Sequence, residues 1–196
     1  MIKFKPAFAA LAIAACTFAS SANAGLIGVK DIVVTKTAGS TPYIQIAELQ
    51  AFQTGTGTNV ALASNGGSAS APNSWDGNST ASKAIDGLFS NLSFPNMYHS
   101  SGTAGDFLKI SLASVTELDS LTIFGRSDCC SVRDIFDINF FGADGNLLYT
   151  ATGVDATNED HFATLQLPDT EVPEPASLLL LGAGLVGIAR TRRNRK

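Results

Sequence analysis

The chain has 196 residues, with 13 Lys+Arg against 17 Asp+Glu, 45% hydrophobic residues and three cysteines. Seven of the basic residues and one acid lie in the two ends, so residues 25–171 hold 6 basic and 16 acidic side chains. A domain with that acidic excess repels nucleic acid and anionic membrane, which removes both from its partners.

Residues 1–24 begin with Lys3 and Lys5, continue through an apolar run from Ala7 to Phe18, and close on Ala22-Asn23-Ala24. That order reads as a secretory signal peptide, cut by signal peptidase before Gly25. Ile13-Ala14-Ala15-Cys16 also passes as a lipoprotein box with Cys16 lipidated. On the signal-peptide reading Cys16 is removed, and the mature chain keeps Cys129 and Cys130 where disulfides persist.

Residues 25–171 suffice for one packed domain. Short apolar or alternating runs predict strands at Ile32–Val34, Tyr43–Phe52, Asn59–Leu62, Phe107–Leu112, Leu118–Phe124, Phe136–Phe141, Leu147–Tyr149 and Phe162–Leu167. Turn residues separate them: Asn65-Gly66-Gly67, Asp76-Gly77-Asn78, Asp86-Gly87 and Asp144-Gly145-Asn146. No window shows a helical apolar stripe. The pattern is all-β and predicts a β-sandwich.

The stretch Gly125-Arg126-Ser127-Asp128-Cys129-Cys130-Ser131-Val132-Arg133 carries the chemistry. Adjacent cysteines that pair with each other close an eight-membered ring, a rigid apolar knob; free thiols or intermolecular bonds are the alternative. Arg126 follows an apolar strand, so it emerges at a sheet edge where binding residues collect. Guanidinium forks match vicinal hydroxyls, because two parallel N–H groups meet two neighbouring oxygens. Arg133 offers a second fork, and Asp128 accepts from an arginine and fixes its rotamer. Arg126–Asp128 and Arg133–Asp134 also read as ordinary surface ion pairs. His99, 27 positions before Arg126, donates to or accepts from a hydroxyl according to its tautomer, or is simply structural.

At the far end Val172-Pro173-Glu174-Pro175 precedes an apolar run from Ala176 to Ala189, and five basic residues follow. The run is shorter than the roughly 20 residues that span a bilayer comfortably. Gly182, Gly184 and Gly187 suit close packing against another membrane helix. The basic cluster would hold the extreme end in the cytoplasm. This order resembles the PEP-CTERM sorting signal of Gram-negative bacteria, over residues 172–196. The resemblance implies transient inner-membrane anchoring on the periplasmic side, cutting by an exosortase, and release or delivery to the cell surface. A plain C-terminal transmembrane anchor is the alternative.

His99, Arg126, Asp128, Cys129-Cys130 and Arg133 together resemble the signature of the F-type, fucose-binding lectins. Ile46-Ala47-Glu48-Leu49-Gln50-Ala51-Phe52, Asn59-Val60-Ala61-Leu62-Ala63 and Ala81-Ser82-Lys83-Ala84-Ile85-Asp86-Gly87 resemble the galactose-binding-like jelly rolls, discoidin and factor 5/8 C-type domains among them. The likeness covers nearly all of 29–167. It implies that the His and the two Arg hold fucose, that a Cys129–Cys130 disulfide packs under the ring, and that Tyr98, Phe94 or Trp75 receives the methyl group. It also implies a structural Ca²⁺ held by Asp86 with Asn96, hard oxygen ligands of the expected kind. The Glu48 phrase normally closes such a domain, whereas here it opens it; a circular permutation would return Glu48 to the metal loop. The alternative is that Asp86 simply caps a turn.

The resulting expectation is an exported, non-enzymatic lectin for fucose-containing glycans or exopolysaccharide. A structural surface or biofilm protein without tight sugar binding is the alternative. No paired carboxylates or activated nucleophile stand at recognisable spacing, so no enzyme is expected.

Overall fold

In the computed structural model the described residues are 25–38 and 41–169. The signal peptide, the C-terminal apolar segment and the sorting motif lie outside them. The described chain is all-β, with nine strands and three short 3₁₀ turns, and it is sandwich-like.

Strand β1 (Leu26–Lys36) buries Leu26, Val29, Ile32 and Val34. It lies between β6 (Leu108–Phe124) and β7 (Ile135–Phe141), and Ile32 sits opposite Ile110 on one side and Phe140 on the other. β8 (Leu147–Asp155) continues the sheet beyond β7. Each large aliphatic or aromatic side chain buried here contributes about 1.5–3 kcal/mol, which is why the order of these strands is fixed.

β6 is 17 residues long and organises the rest. Its first half pairs with β1 and with β4 (Ser68–Ser70); its second half pairs with β3 (Glu48–Gln53) and β9 (Phe162–Gln166). Two register shifts against β1 fall near Val29, where β6 passes from one set of neighbours to the other. Leu121 and Ile123 of the second half, with Leu49 of β3, meet Leu108 and Ile110 of the first half, with Val34 of β1, in one core. Alternation places one set of side chains inward on every strand.

Both ends of the described domain meet midway along β6. The Gly25 N–H donates to the Glu117 carboxylate at 2.8 Å, and the Leu167 N–H to the Asp119 carbonyl at 2.8 Å. The other end of β6, Phe124, runs into the Arg126–Arg133 loop. β2 (Gln45–Ile46) and β5 (Tyr98–His99) form a separate two-stranded ribbon, in which Gln45 lies opposite His99.

Asn59–Leu62 is not a strand. The Asn59 side chain accepts the N–H groups of Ala51 and Ala61 at 3.0 and 3.2 Å and bends the chain into a turn. The strands expected at Phe107–Leu112 and Leu118–Phe124 are not separate elements: from Leu108 onward both belong to β6.

Candidate functional site

The loop after β6 is built around a buried carboxylate. Asp134 is fully buried, and its Oδ2 accepts the Arg126 N–H at 2.7 Å. A Cβ at residue 125 would collide with that carboxylate, so glycine precedes Arg126. Burial pushes the Asp134 carboxyl up to about 7, opposed by the Arg126 N–H and by the charges of Lys36, Arg126 and Arg133. Asp134 is thus an internal anchor and not the surface partner of Arg133. A 3₁₀ turn at Ser131–Arg133 closes the loop, entered through Cys130 at φ +63°.

Cys129 and Cys130 form a disulfide across a 3.8 Å Cα–Cα separation, the spacing of a trans peptide. Asp128 holds Arg126 through both carboxylate oxygens, Nε to Oδ1 at 2.7 Å and Nη2 to Oδ2 at 2.9 Å. That paired bond draws the Asp128 carboxyl down to about 2 and raises Arg126 further. Phe94 lies under the Arg126 guanidinium at 5.4 Å, and Tyr43 under that of Arg133 at 5.0 Å. Ring faces attract these cations and restrict their rotamers.

The two arginines face one pocket of about 340 Å³, lined by Tyr43, Trp75, Phe94, His99, Arg126 and Arg133. Trp75 is 56% exposed and packs at 5.4 Å from His99 and 5.9 Å from Tyr43. The volume falls at the small end of ligand sites, and the lining, aromatic walls with a few charged donors, is typical of them. Two other depressions differ in kind. One, between Lys36 and the Thr103–Phe107 turn, has no arginine; the other is an open groove between β8 and β9.

Not every residue named from the sequence plays the expected part. His99 has both ring nitrogens occupied, Nδ1 by the Ser100 carbonyl at 2.8 Å and Nε2 by the Gln45 amide at 2.8 Å. Burial lowers its pKa, so the neutral ring forms the pocket wall. Tyr98 points away and is fully buried, its hydroxyl donating to the Asn73 and Phe107 carbonyls. It cannot receive a methyl group. Cys129 and Cys130 stand in the loop between the arginines but do not line the pocket. Tyr43 and Gln45 were not legible as site residues, because only the β2–β5 pairing carries them to His99.

The second constellation is partly assembled. Glu48 lies beside the Asp86 turn, and its Oε2 accepts the Gly87 N–H at 3.2 Å. Its Oε1 is buried without a hydrogen-bond partner. Burial pushes the Glu48 carboxyl up to about 7, and neighbouring Asp86 adds to the rise. An orphaned carboxylate oxygen facing a second acid suits a hard cation. Asn96 does not join them: its N–H donates to the Ser93 carbonyl, and its side chain bonds neither carboxylate. Among the described residues no group of three or more His, Cys, Asp and Glu gathers round a metal position.

Residues 171–193 match the family model of the PEP-CTERM protein-sorting motif. The chain carries a PEP-CTERM sorting signal. Such signals mark proteins exported to the cell envelope or surface of Gram-negative bacteria and imply processing by an exosortase. The PEP-CTERM match covers only this tail. No curated protein and no solved structure matches the chain.

Proposed function

We propose that the domain is a jelly-roll lectin, an exported carbohydrate-binding module for fucose or a related 6-deoxy sugar, and that it acts by binding rather than by catalysis. The observation that carries this reading is the convergence of two guanidinium groups on one aromatic-walled pocket. Sugars have an apolar face and an edge of hydroxyls; Trp75 and Phe94 suit the first, Arg126 and Arg133 the second. Arg126 keeps Nη1 outside its Asp128 bond, and Arg133 has no carboxylate partner among the described residues, so both retain donors for hydroxyls. Because Asp128 and the ring faces hold the guanidinium groups beforehand, little side-chain entropy is lost on binding. The disulfide stiffens the loop between them. A Ca²⁺ at Glu48 and Asp86 would brace the Asp86–Phe94 segment that brings Phe94 to the pocket, without touching the sugar. With the sorting signal, the glycan partner is a fucose-containing exopolysaccharide or surface glycan.

Arg126→Ala should abolish retention on a fucose resin while leaving the melting temperature within a few degrees. Unchanged retention rejects the reading.

One observation favours a second reading, a structural surface protein without tight sugar binding: both nitrogens of His99 are already satisfied. Failure of the parent protein to bind any member of a glycan array would select it.

A further inference from the structure

A row of three phenyl rings lies on the outer face of β6 and β9, outside the set of residues that line the pocket. Phe124 and Phe162 are cross-strand partners with centroids 5.6 Å apart and planes 37° apart. Phe89 stacks on Phe124 from the loop after the Ala81–Ile85 3₁₀ turn, at 5.3 Å and 26°. Phe89 is 47% exposed, Phe162 36%, and neighbouring Leu88 59%. One stacked and one tilted contact line the three rings up as a strip.

The strip is continuous with the pocket along two stretches of chain. Arg126 is two residues beyond Phe124, so their Cα atoms are roughly 7 Å apart in an extended chain. The Leu88–Phe94 loop runs from the strip to the pocket wall, and the Leu92 carbonyl accepts the Ser127 N–H at 3.1 Å. Beyond the rings the same face is polar: the Thr122 and Thr164 hydroxyls meet at 3.1 Å, and Ser120 lies opposite Gln166.

We infer that Phe89, Phe124 and Phe162 form a stacking subsite for a neutral pyranose adjoining the one in the arginine pocket. The inference rests on the sugar-binding reading of that pocket and extends it from a monosaccharide to an oligosaccharide. Three part-exposed rings offer on the order of 300 Å², far below the roughly 800 Å² per partner of a stable protein interface. That area matches the apolar face of one or two sugar rings. The 16 acids against 6 bases of residues 25–171 disfavour a uronate or sulfate here, since the three rings carry no charge and the Arg126 guanidinium is already paired with Asp128.

Calorimetry on the mature protein would compare methyl fucoside with a panel of neutral, fucose-capped tri- to hexasaccharides of different linkage. The best oligosaccharide should bind about fivefold tighter than the monosaccharide. Phe89→Ser with Phe162→Thr should erase that gain and leave methyl fucoside affinity unchanged, while Phe162→Tyr should keep it. Equal affinity for all the sugars, or a gain that survives the double substitution, overturns the subsite alone. Absence of methyl fucoside binding overturns the pocket reading and this inference together. A melting temperature within a few degrees of the parent certifies the double variant; if it unfolds, Phe162→Thr alone carries the comparison.

Discussion

Two buried carboxylates, Asp134 and Glu48, are alike in all but their neighbours. Each accepts from the backbone, each keeps one oxygen without a partner, and burial pushes each up to about 7. Around Asp134 the nearby charges are Lys36, Arg126 and Arg133, all cationic; beside Glu48 stands Asp86, another acid. The first carboxylate is compensated from within the fold. Glu48 itself is not ion-paired among the described residues; Lys83 stands 3.9 Å from its neighbour Asp86, and the proposed cation would add to that charge. The same residue chemistry thus anchors one loop, and in the other it is where the proposed Ca²⁺ would bind.

The largest effect should come from Asp134→Ala. It would strip the Arg126 N–H of its acceptor and leave the buried Lys36 ammonium, already without a hydrogen bond, beside the like charge of Arg133. Breaking a buried charge cluster on one side costs about 3–5 kcal/mol. Urea denaturation measures it; a loss under 1 kcal/mol would mean that Asp134 is not the anchor of the loop.

Glu48 should respond to calcium where Asp134 does not. Saturating Ca²⁺ should raise the melting temperature by about 5 °C or more, and EGTA should reverse it. Glu48→Gln should abolish the calcium response and be no less stable than the parent in EGTA, since it removes a buried acid beside another. Equal melting curves with and without calcium would erase the contrast between the two loops.

Acidity sharpens the comparison further. A carboxyl raised from its ordinary value of about 4 to about 7 favours the folded state when protonated. Its contribution is complete below pH 4 and is lost as pH climbs through 7. In EGTA the urea midpoint should therefore fall between pH 5 and pH 7.5, by less in Asp134→Asn and by less again when Glu48→Gln is added. Calcium should remove only the Glu48 share. Retention of the full fall in the double variant would assign it to other groups.

The strands were legible wherever alternation is strong, as in β1, β7 and the two halves of β6. Their continuity was not, because Ala113, Ser114 and Val115 are exposed together and lie where the pairing with β1 shifts register, between Ser111 and Thr116. The Arg126–Arg133 motif stood out in the sequence, and both arginines reach one pocket. What the pocket adds to them came from pairings distant in sequence. Gln45 meets His99 only across β2–β5, and Tyr43 reaches Arg133 from a loop 90 positions away. Tyr98 and His99 are neighbours on a strand and must face opposite ways, but only the fold decides which one faces the pocket. The Asp134 anchor gave no signal, since a local Arg–Asp pair on a loop normally reads as surface charge.

The smallest expected change in stability is at Asp128. Its carboxylate is 36% exposed, and a partly exposed pair contributes about 0.2–1 kcal/mol even with two bonds. Asp128→Asn should thus shift the urea midpoint barely at all. It keeps one acceptor for Arg126 but removes the charge and the second acceptor oxygen, so the guanidinium regains rotational freedom over Phe94. Fucose affinity should fall about tenfold while stability stays level. Arg126→Lys should not recover it, because an ammonium has no fork to share between a carboxylate and a hydroxyl pair. If Asp128→Asn binds as well as the parent, Phe94 alone suffices to hold Arg126, and the paired bond to Asp128 has no part in preparing the pocket.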